Sequence, residues 1–447
     1  MNLNPAYRPK VLMLGWEFPP VINGGLGVAC HDLCIAMGAL SDVSMILPKS
    51  SPDFFVKNVR LIGLNYVDAD TFSALNHARS NHAGARIFHV AADLDPYYTP
   101  VRNQVMVESH HEKIDSQYIQ SKQFGDHSAR VFSIDDLYGG DVIEKVTVFG
   151  RLAAGLARKM DFDIIHAHDW MTMIAGMEIK RESGKPLVLH IHSLEVDRGG
   201  PGSRGWVYQM EKKGMEAADL LMPVSEFTGH NIHEYYGISW EKIKPVHNGI
   251  RPVSPFRSAP MFKEKMVLFV GRLTRQKGPE LLLDIAEKVL QRQDNIRFVM
   301  AGTGEYFNAL LEKAAQKGIA HRFHLTGFLH LDQVRRLLSV ADAYIMPSVS
   351  EPFGLSAVEA VQFGVPAIIS KQSGVAEVLH GALKFDYWDT EAAASYILQV
   401  INDPVLSAAL RKEATKDLDA ITWELAASKV IREYAANQLL PYEAFQE

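Results

Sequence analysis

At 447 residues the chain is longer than one ordinary domain. Its composition, 47% hydrophobic and 22% charged, is that of a folded protein with material for two cores. The 46 Lys and Arg against 52 Asp and Glu leave a formal charge of −6, which excludes a nucleic-acid-coating protein but allows a local basic pocket. Two cysteines, Cys30 and Cys34, are too few for a disulfide scaffold; with a polar start and no apolar run of about 18 residues, the expected location is cytoplasmic, with nothing indicating membrane contact.

Short apolar, β-branched runs alternate with helix-length amphipathic segments. Strands are expected at Lys10–Gly15, Asp42–Leu47, Arg86–Val90, Asp163–His168, Pro186–His192, Leu220–Ser225 and Ile243–Asn248, with helices at Gly25–Ala39, Val142–Met160 and Arg204–Ala217. Strands that are continuously apolar, rather than alternating, are buried on both faces, so these are βαβ units of a parallel sheet. From about Asp68 to Asp136 the rhythm breaks into a polar insertion that holds His77, His82, His110, His111 and His127. Their spacing fits no tight ligand pattern, and no metal is expected.

Pro252, Pro255 and Pro260 mark a linker, after which the rhythm restarts. Strands are expected at Met266–Arg272, Arg297–Gly302, Phe323–Gly327, Ala343–Pro347 and Ala367–Ser370. The helices between and after them fall at Pro279–Gln291, Tyr306–Lys317, Leu331–Val340, Leu355–Phe363 and Val375–Leu379, and the tail Thr390–Leu440 reads as helical throughout. Two α/β domains follow from pattern alone.

In such sheets ligands bind beyond the carboxyl ends of the strands. Gly24 and Gly25 open the first helix, where glycines let backbone N–H groups approach an anion. His190 and His192 fall on one side of their strand, with His192 nearest its carboxyl end. In the second half, Arg272 and Lys277 occupy a strand-to-helix turn, a fork and a point charge suited to a diphosphate. Gly302 and Gly304 form another small-residue turn. The sharpest signal is Glu351-Pro352-Phe353-Gly354-Leu355 running into a helix that carries Glu359. A carboxylate beside an anion pocket repels phosphate, but it is a strong acceptor for sugar hydroxyls. Each feature also has a plainer reading: a tight turn, a core histidine, solvated charge.

Together these residues resemble the GT-B glycosyltransferases, family 4, over nearly the whole chain and most strongly over Val270–Glu377. The segments Trp16-Glu17-Phe18-Pro19-Pro20, Gly24-Gly25-Leu26-Gly27 and His166-Ala167-His168-Asp169-Trp170 are similar to those of bacterial and archaeal glycogen synthases. The resemblance implies two Rossmann-like domains, 1–252 and 260–422, with the last helix (423–447) crossing back onto the first. It implies a retaining transfer of a hexose, glucose by this likeness, from a nucleotide-sugar such as ADP-glucose or UDP-glucose to a glucan or other glycan, with no metal or other cofactor. Arg272 and Lys277 would then stabilise the donor diphosphate. Glu351 would contact the donor sugar and Glu359 the ribose, as the two ends of an E-x7-E motif. Phe353, Gly354 and Leu355 would present backbone N–H groups to sugar and phosphate. His192 would sit beside the sugar, Gly24 and Gly25 would lie against phosphate and sugar, and the backbone around Thr326–Phe328 would read the base. Ile22-Asn23 replaces the Lys-Thr of starch-synthase-type enzymes, so the acceptor is not fixed by the likeness. A lipid-linked or small acceptor predicts a basic, apolar-edged helix, for which Val142–Met160 is the candidate through Lys145, Phe149, Arg151, Leu152, Arg158 and Lys159. A sugar-nucleotide epimerase or a non-catalytic sugar-nucleotide-binding protein are the remaining alternatives.

Overall fold

The computed structural model describes residue 4 and residues 7–20, 24–51, 53–66 and 142–445. The insertion expected at about 68–136, the strand at Arg86–Val90 and Asn23 lie outside the described residues.

Two six-stranded sheets are present among the described residues. The first comprises Lys10–Leu14 (β1), Asp42–Leu47 (β2), Val59–Gly63 (β3), Ile164–His168 (β4), Leu187–Ile191 (β5) and Leu220–Pro223 (β6). Its order is β3-β2-β1-β4-β5-β6, and every pairing is parallel. The second comprises Lys265–Val270 (β7), Ile296–Ala301 (β8), Phe323–Gly327 (β9), Ala343–Met346 (β10), Ala367–Ser370 (β11) and Ala382–Phe385 (β12). It is also parallel throughout, in the order β12-β11-β10-β7-β8-β9. The two orders are the same, and each reverses direction at one place: between β1 and β4 in the first sheet, between β7 and β10 in the second. Side chains of the central strands are buried on both faces, Val11–Leu14 and Leu187–Leu189 among them, as all-parallel sheets require.

Helices cover the sheets: Gly25–Leu40 (α1), Val142–Ala157 (α2), Trp170–Ser183 (α3), Glu195–Gly199 (α4), Trp206–Ala217 (α5) and Glu226–Tyr236 (α6) on the first. Pro279–Arg292 (α7), Phe307–Gln316 (α8), Leu331–Leu338 (α9), Leu355–Gln362 (α10), Thr390–Asn402 (α11) and Pro404–Ala420 (α12) belong to the second. The last helix, Trp423–Ala436 (α13), buries Trp423, Ala426, Ala427, Val430, Ile431 and Tyr434 in the core of the first sheet. Those residues recur at helical spacing along one stripe. Each large side chain there contributes roughly 1.5–3 kcal/mol of burial, so α13 holds the two halves together.

Several expectations are corrected. Ile243–Asn248 is not a regular strand. Lys244 N and Val246 N do bond to Leu221 O and Pro223 O at 2.8 Å, but the reciprocal bond from β6 would have to come from Pro223, which has no N–H to continue the ladder. The Val375–Leu379 helix shrinks to a single tight turn, Gly374–Glu377. The tail is helical as expected, divided into three helices, α11, α12 and α13. Asp403 caps α12 through bonds from Val405 N and Leu406 N, with Pro404 at the first helical position, and Thr422 caps α13. The candidate lipid-facing helix, now α2, turns inward. Lys145, Phe149 and Leu152 are buried, and Arg158 is paired with Glu182 at 2.7 Å. It packs against α3, and its Phe149 and Leu152 face the core while Arg158 and Lys159 stay exposed.

Candidate active site

The reversal points matter because there the loops leave adjacent strands in opposite directions and open a crevice. At the β1/β4 crevice the loops carry Glu17 and His168-Asp169; at the β7/β10 crevice they carry Arg272–Lys277 and Ser348–Glu351.

Across the second crevice Lys277 Nζ reaches Glu351 Oε2 at 2.5 Å. Ser348 Oγ donates to the same oxygen at 3.1 Å, and Glu351 is buried. The loop is fixed by its backbone: Val349 N bonds to Gln276 O, Glu351 N to Gln372 O, and Gly374 N to Glu351 O, each at 2.9 Å. The cation and the carboxylate expected to serve different parts of a donor are thus one ion pair in this structure. Arg272 is half-buried on the same turn as Lys277.

Gly354 begins α10 at φ 111°, a conformation closed to other residues without strain. The Phe353 ring is buried in the core, and its carbonyl accepts from Val375 N at 2.7 Å. Leu355 and Glu359, on α10, line a cavity of about 240 Å³ together with Arg335, Leu331, His31 and Trp423. Burial pushes the Glu359 carboxyl up to about 7, against the pull of Arg335. Phe328, after β9, is exposed and meets His330 edge-on.

The candidate glycines divide into two kinds. A Cβ on Gly302 would overlap the Gly271 carbonyl oxygen, and one on Gly304 the Leu273 carbonyl oxygen. These two exist so that β8's loop can press on the Arg272 turn. A Cβ on Gly24 or Gly25 would meet nothing within 4 Å. Their bareness answers to no neighbour among the described residues, and Gly24 N donates to the buried Glu17 Oε2 at 3.2 Å.

On the first sheet, His192 is not a lone residue. Its Nε2 is 2.9 Å from His168 Nδ1, while His190 Nδ1 is 3.1 Å from His166 Nε2. The His190 and His192 rings stack at 4.7 Å and 15°. His166 Nδ1 meets the Tyr434 hydroxyl of α13. Burial holds the His166, His168 and His192 rings well below the usual imidazole range and His190 down to about 3, so all four are neutral. Among the described residues, His166, His168 and His190 bring ring nitrogens within 4.8 Å of one another, as do Cys30, His168 and His192 with their donor atoms. Four of those nitrogens are bonded in two pairs; the His168, His190 and His192 rings lie within 30° of parallel, whereas His166 is tilted by 42° to His168 and 43° to His190. The cluster therefore reads as a histidine stack.

Sequence reasoning missed what holds this arrangement. Asp169, at φ 56°, accepts from His192 N at 2.6 Å and Ser193 N at 3.4 Å; burial raises its carboxyl to about 7 despite those bonds. Asp197 on α4 accepts from Ser350 Oγ at 2.6 Å, tying the His192 side of the cleft to the Glu351 loop. Ser225 Oγ donates to Pro352 O at 2.6 Å. Glu377 accepts from Glu226 N and Phe227 N at the start of α6 and meets His247 Nε2 at 2.6 Å. A positive φ at an aspartate and partners more than a hundred residues apart leave no local signal. The histidine spacing alone hinted at the stack.

The comparisons with known proteins agree with this geometry. Residues 10–243 match the starch synthase catalytic domain family and residues 252–417 match the glycosyl transferases group 1. The chain belongs to the glycosyltransferases. It is 30% identical to an uncharacterized glycosyltransferase of Methanocaldococcus jannaschii, over 95% of this chain and 97% of that one. It is 25% identical to the glycogen synthase of Mycobacterium tuberculosis, over 96% and 94% of the two chains. The catalytic domain of starch synthase IV from Arabidopsis thaliana, solved with ADP and acarbose, superposes with a TM-score of 0.65 at 16% identity, covering 96% of this chain and 99% of that one. That likeness shows the fold, and this glycosyltransferase has the GT-B architecture. No helix among its described residues is long and apolar enough to cross a membrane.

Proposed function

We propose that this glycosyltransferase is a family 4, retaining enzyme that moves glucose from ADP-glucose or UDP-glucose to the end of a glucan, as glycogen synthases do. The observation that carries the reading is the Lys277–Glu351 ion pair, which spans the β7/β10 crevice where the fold binds ligands.

A diphosphate arriving there offers Lys277 a second, stronger anionic partner and frees Glu351 to accept sugar hydroxyls. Lys277 and Arg272 then face the oxygen that gains charge as the sugar–phosphate bond breaks, which lowers the barrier without a metal. Glu359 accepts from the ribose hydroxyls in the cavity beside α9, and the open backbone at Gly24 and Gly25 admits phosphate or sugar. His192 is neutral, so it adds no positive charge to the diphosphate. It positions the sugar through its ring and main chain, with Asp169 holding its amide. With no carboxylate nucleophile required, the departing diphosphate takes the acceptor's proton on the face it leaves, and the anomeric configuration is kept. The glycogen synthase relative and the starch-synthase match favour glucose and a glucan.

Proton NMR of the product formed from an α-linked donor tests the mechanism. An α linkage is expected; a β linkage overturns the retaining reading.

A further inference from the structure

Of the six tryptophans, only Trp388 is exposed, at 62%, and it belongs to none of the hydrophobic cores. It follows β12 in a turn closed by Asp389 N to Asp386 O at 2.7 Å, so Tyr387 and Trp388 occupy the two central positions. Turns favour Gly, Pro, Asn and Asp there, and neither aromatic joins a hydrophobic core. The rings meet at 4.9 Å and 81°, forming a rigid corner.

The corner is wired to the donor loop. Tyr387 N donates to Gln372 Oε1 at 3.2 Å, and Gln372 O accepts from Glu351 N at 2.9 Å. Gln372 Nε2 and Lys371 Nζ both bond to Asp386, at 3.2 and 2.9 Å. Because β10, β11 and β12 are parallel, Glu351, Gln372 and Trp388 leave the same edge of the sheet. Two strand spacings, about 10 Å, separate the β12 turn from the Glu351 strand. An amphipathic aromatic face ringed by amide and carboxylate groups suits a pyranose, whose C–H face stacks and whose rim hydroxyls hydrogen-bond.

We propose that Tyr387 and Trp388 form a binding platform for the acceptor glycan, seating a sugar unit behind the one that reacts. The proposal rests on the glucan-acceptor reading above. Its test uses the full chain, titrated with maltoheptaose while intrinsic tryptophan fluorescence is followed, beside turnover with maltoheptaose and with maltose. The wild type should show a saturable fluorescence change that both Trp388→Ala and Trp388→Phe abolish, since each removes the indole. Trp388→Phe, which keeps an aromatic face, should raise KM for maltoheptaose less than Trp388→Ala. Trp388→Ala should raise KM for maltoheptaose about tenfold, leaving kcat, the KM for maltose and acceptor-free donor hydrolysis unchanged. Unchanged maltoheptaose constants in Trp388→Ala overturn the platform while leaving the acceptor reading intact. So does a variant that alters only the oligomeric state, which would assign the corner to a second copy of the chain. A fluorescence change lost in Trp388→Ala, in an enzyme that no glucan accelerates, upholds the platform and removes the acceptor reading. Absence of both removes both.

Discussion

Replacing Lys277 with alanine takes away the cation that faces the leaving diphosphate, and the structure allows the loss to be divided into two parts. The ion pair joins a side chain 20% exposed to one 6% exposed, at 2.5 Å. Breaking a fully buried pair costs about 3–5 kcal/mol; Ser348 Oγ stays on Glu351 and water reaches the Lys277 side, so about 1–2 kcal/mol of stability is expected to go. The catalytic loss is larger. Removing one fixed donor from a developing oxyanion costs ~3–4 kcal/mol, or ~10²–10³ in turnover. The assay is nucleotide release at saturating donor, run beside urea unfolding. Lys277→Met combined with Glu351→Leu separates the two roles. If the pair is only a structural bridge, the apolar double variant recovers both stability and rate. The account predicts recovered stability and no recovered rate. A Lys277→Ala enzyme within tenfold of the wild-type rate would refute the reasoning.

Glu359, with its carboxyl near 7, takes up a proton as the pH falls through that value and stops being a two-hydroxyl acceptor. Donor affinity measured calorimetrically should therefore weaken from pH 8 to 6, by up to about tenfold per unit below 7, and be flat in Glu359→Gln; a flat wild type contradicts the role. Tyr434→Phe leaves His166 Nδ1 without its partner in a buried site and should cost about 1–3 kcal/mol in urea unfolding, with a loss below about 0.5 counting against the stack. Gly302→Ala should destabilise the fold, because its Cβ has no space, whereas Gly25→Ala should melt like the wild type yet lose turnover. Equal melting of both variants would contradict the division of the glycines.

The parallel sheets were legible because runs such as Lys10–Leu14 and Leu187–Ile191 are apolar at successive positions, which only doubly covered strands tolerate. Two of the four edge strands, β3 and β12, were not. Val59–Gly63 is half exposed and alternates too little to stand out, and β12 carries Lys384 within four residues. Lys277 and Glu351 were each legible as candidates for the site from their place at strand ends. Their pairing, 74 residues apart, was not, since it depends on β7 lying beside β10. The stack ending at Tyr434 spans 268 residues and follows only once α13 is docked on the first sheet. Glu377 was not singled out in sequence, yet it accepts from the first amides of α6 across the cleft.

The central claim is glucosyl transfer from a nucleotide-sugar to a glucan. Its most direct measurement is nucleotide release from ADP-, UDP- and GDP-linked glucose, mannose and N-acetylglucosamine, with and without glycogen or maltooligosaccharides. The account predicts that ADP-glucose or UDP-glucose is turned over and that the glucan accelerates it. Turnover of a donor that no glucan accelerates, or of none at all, would contradict it.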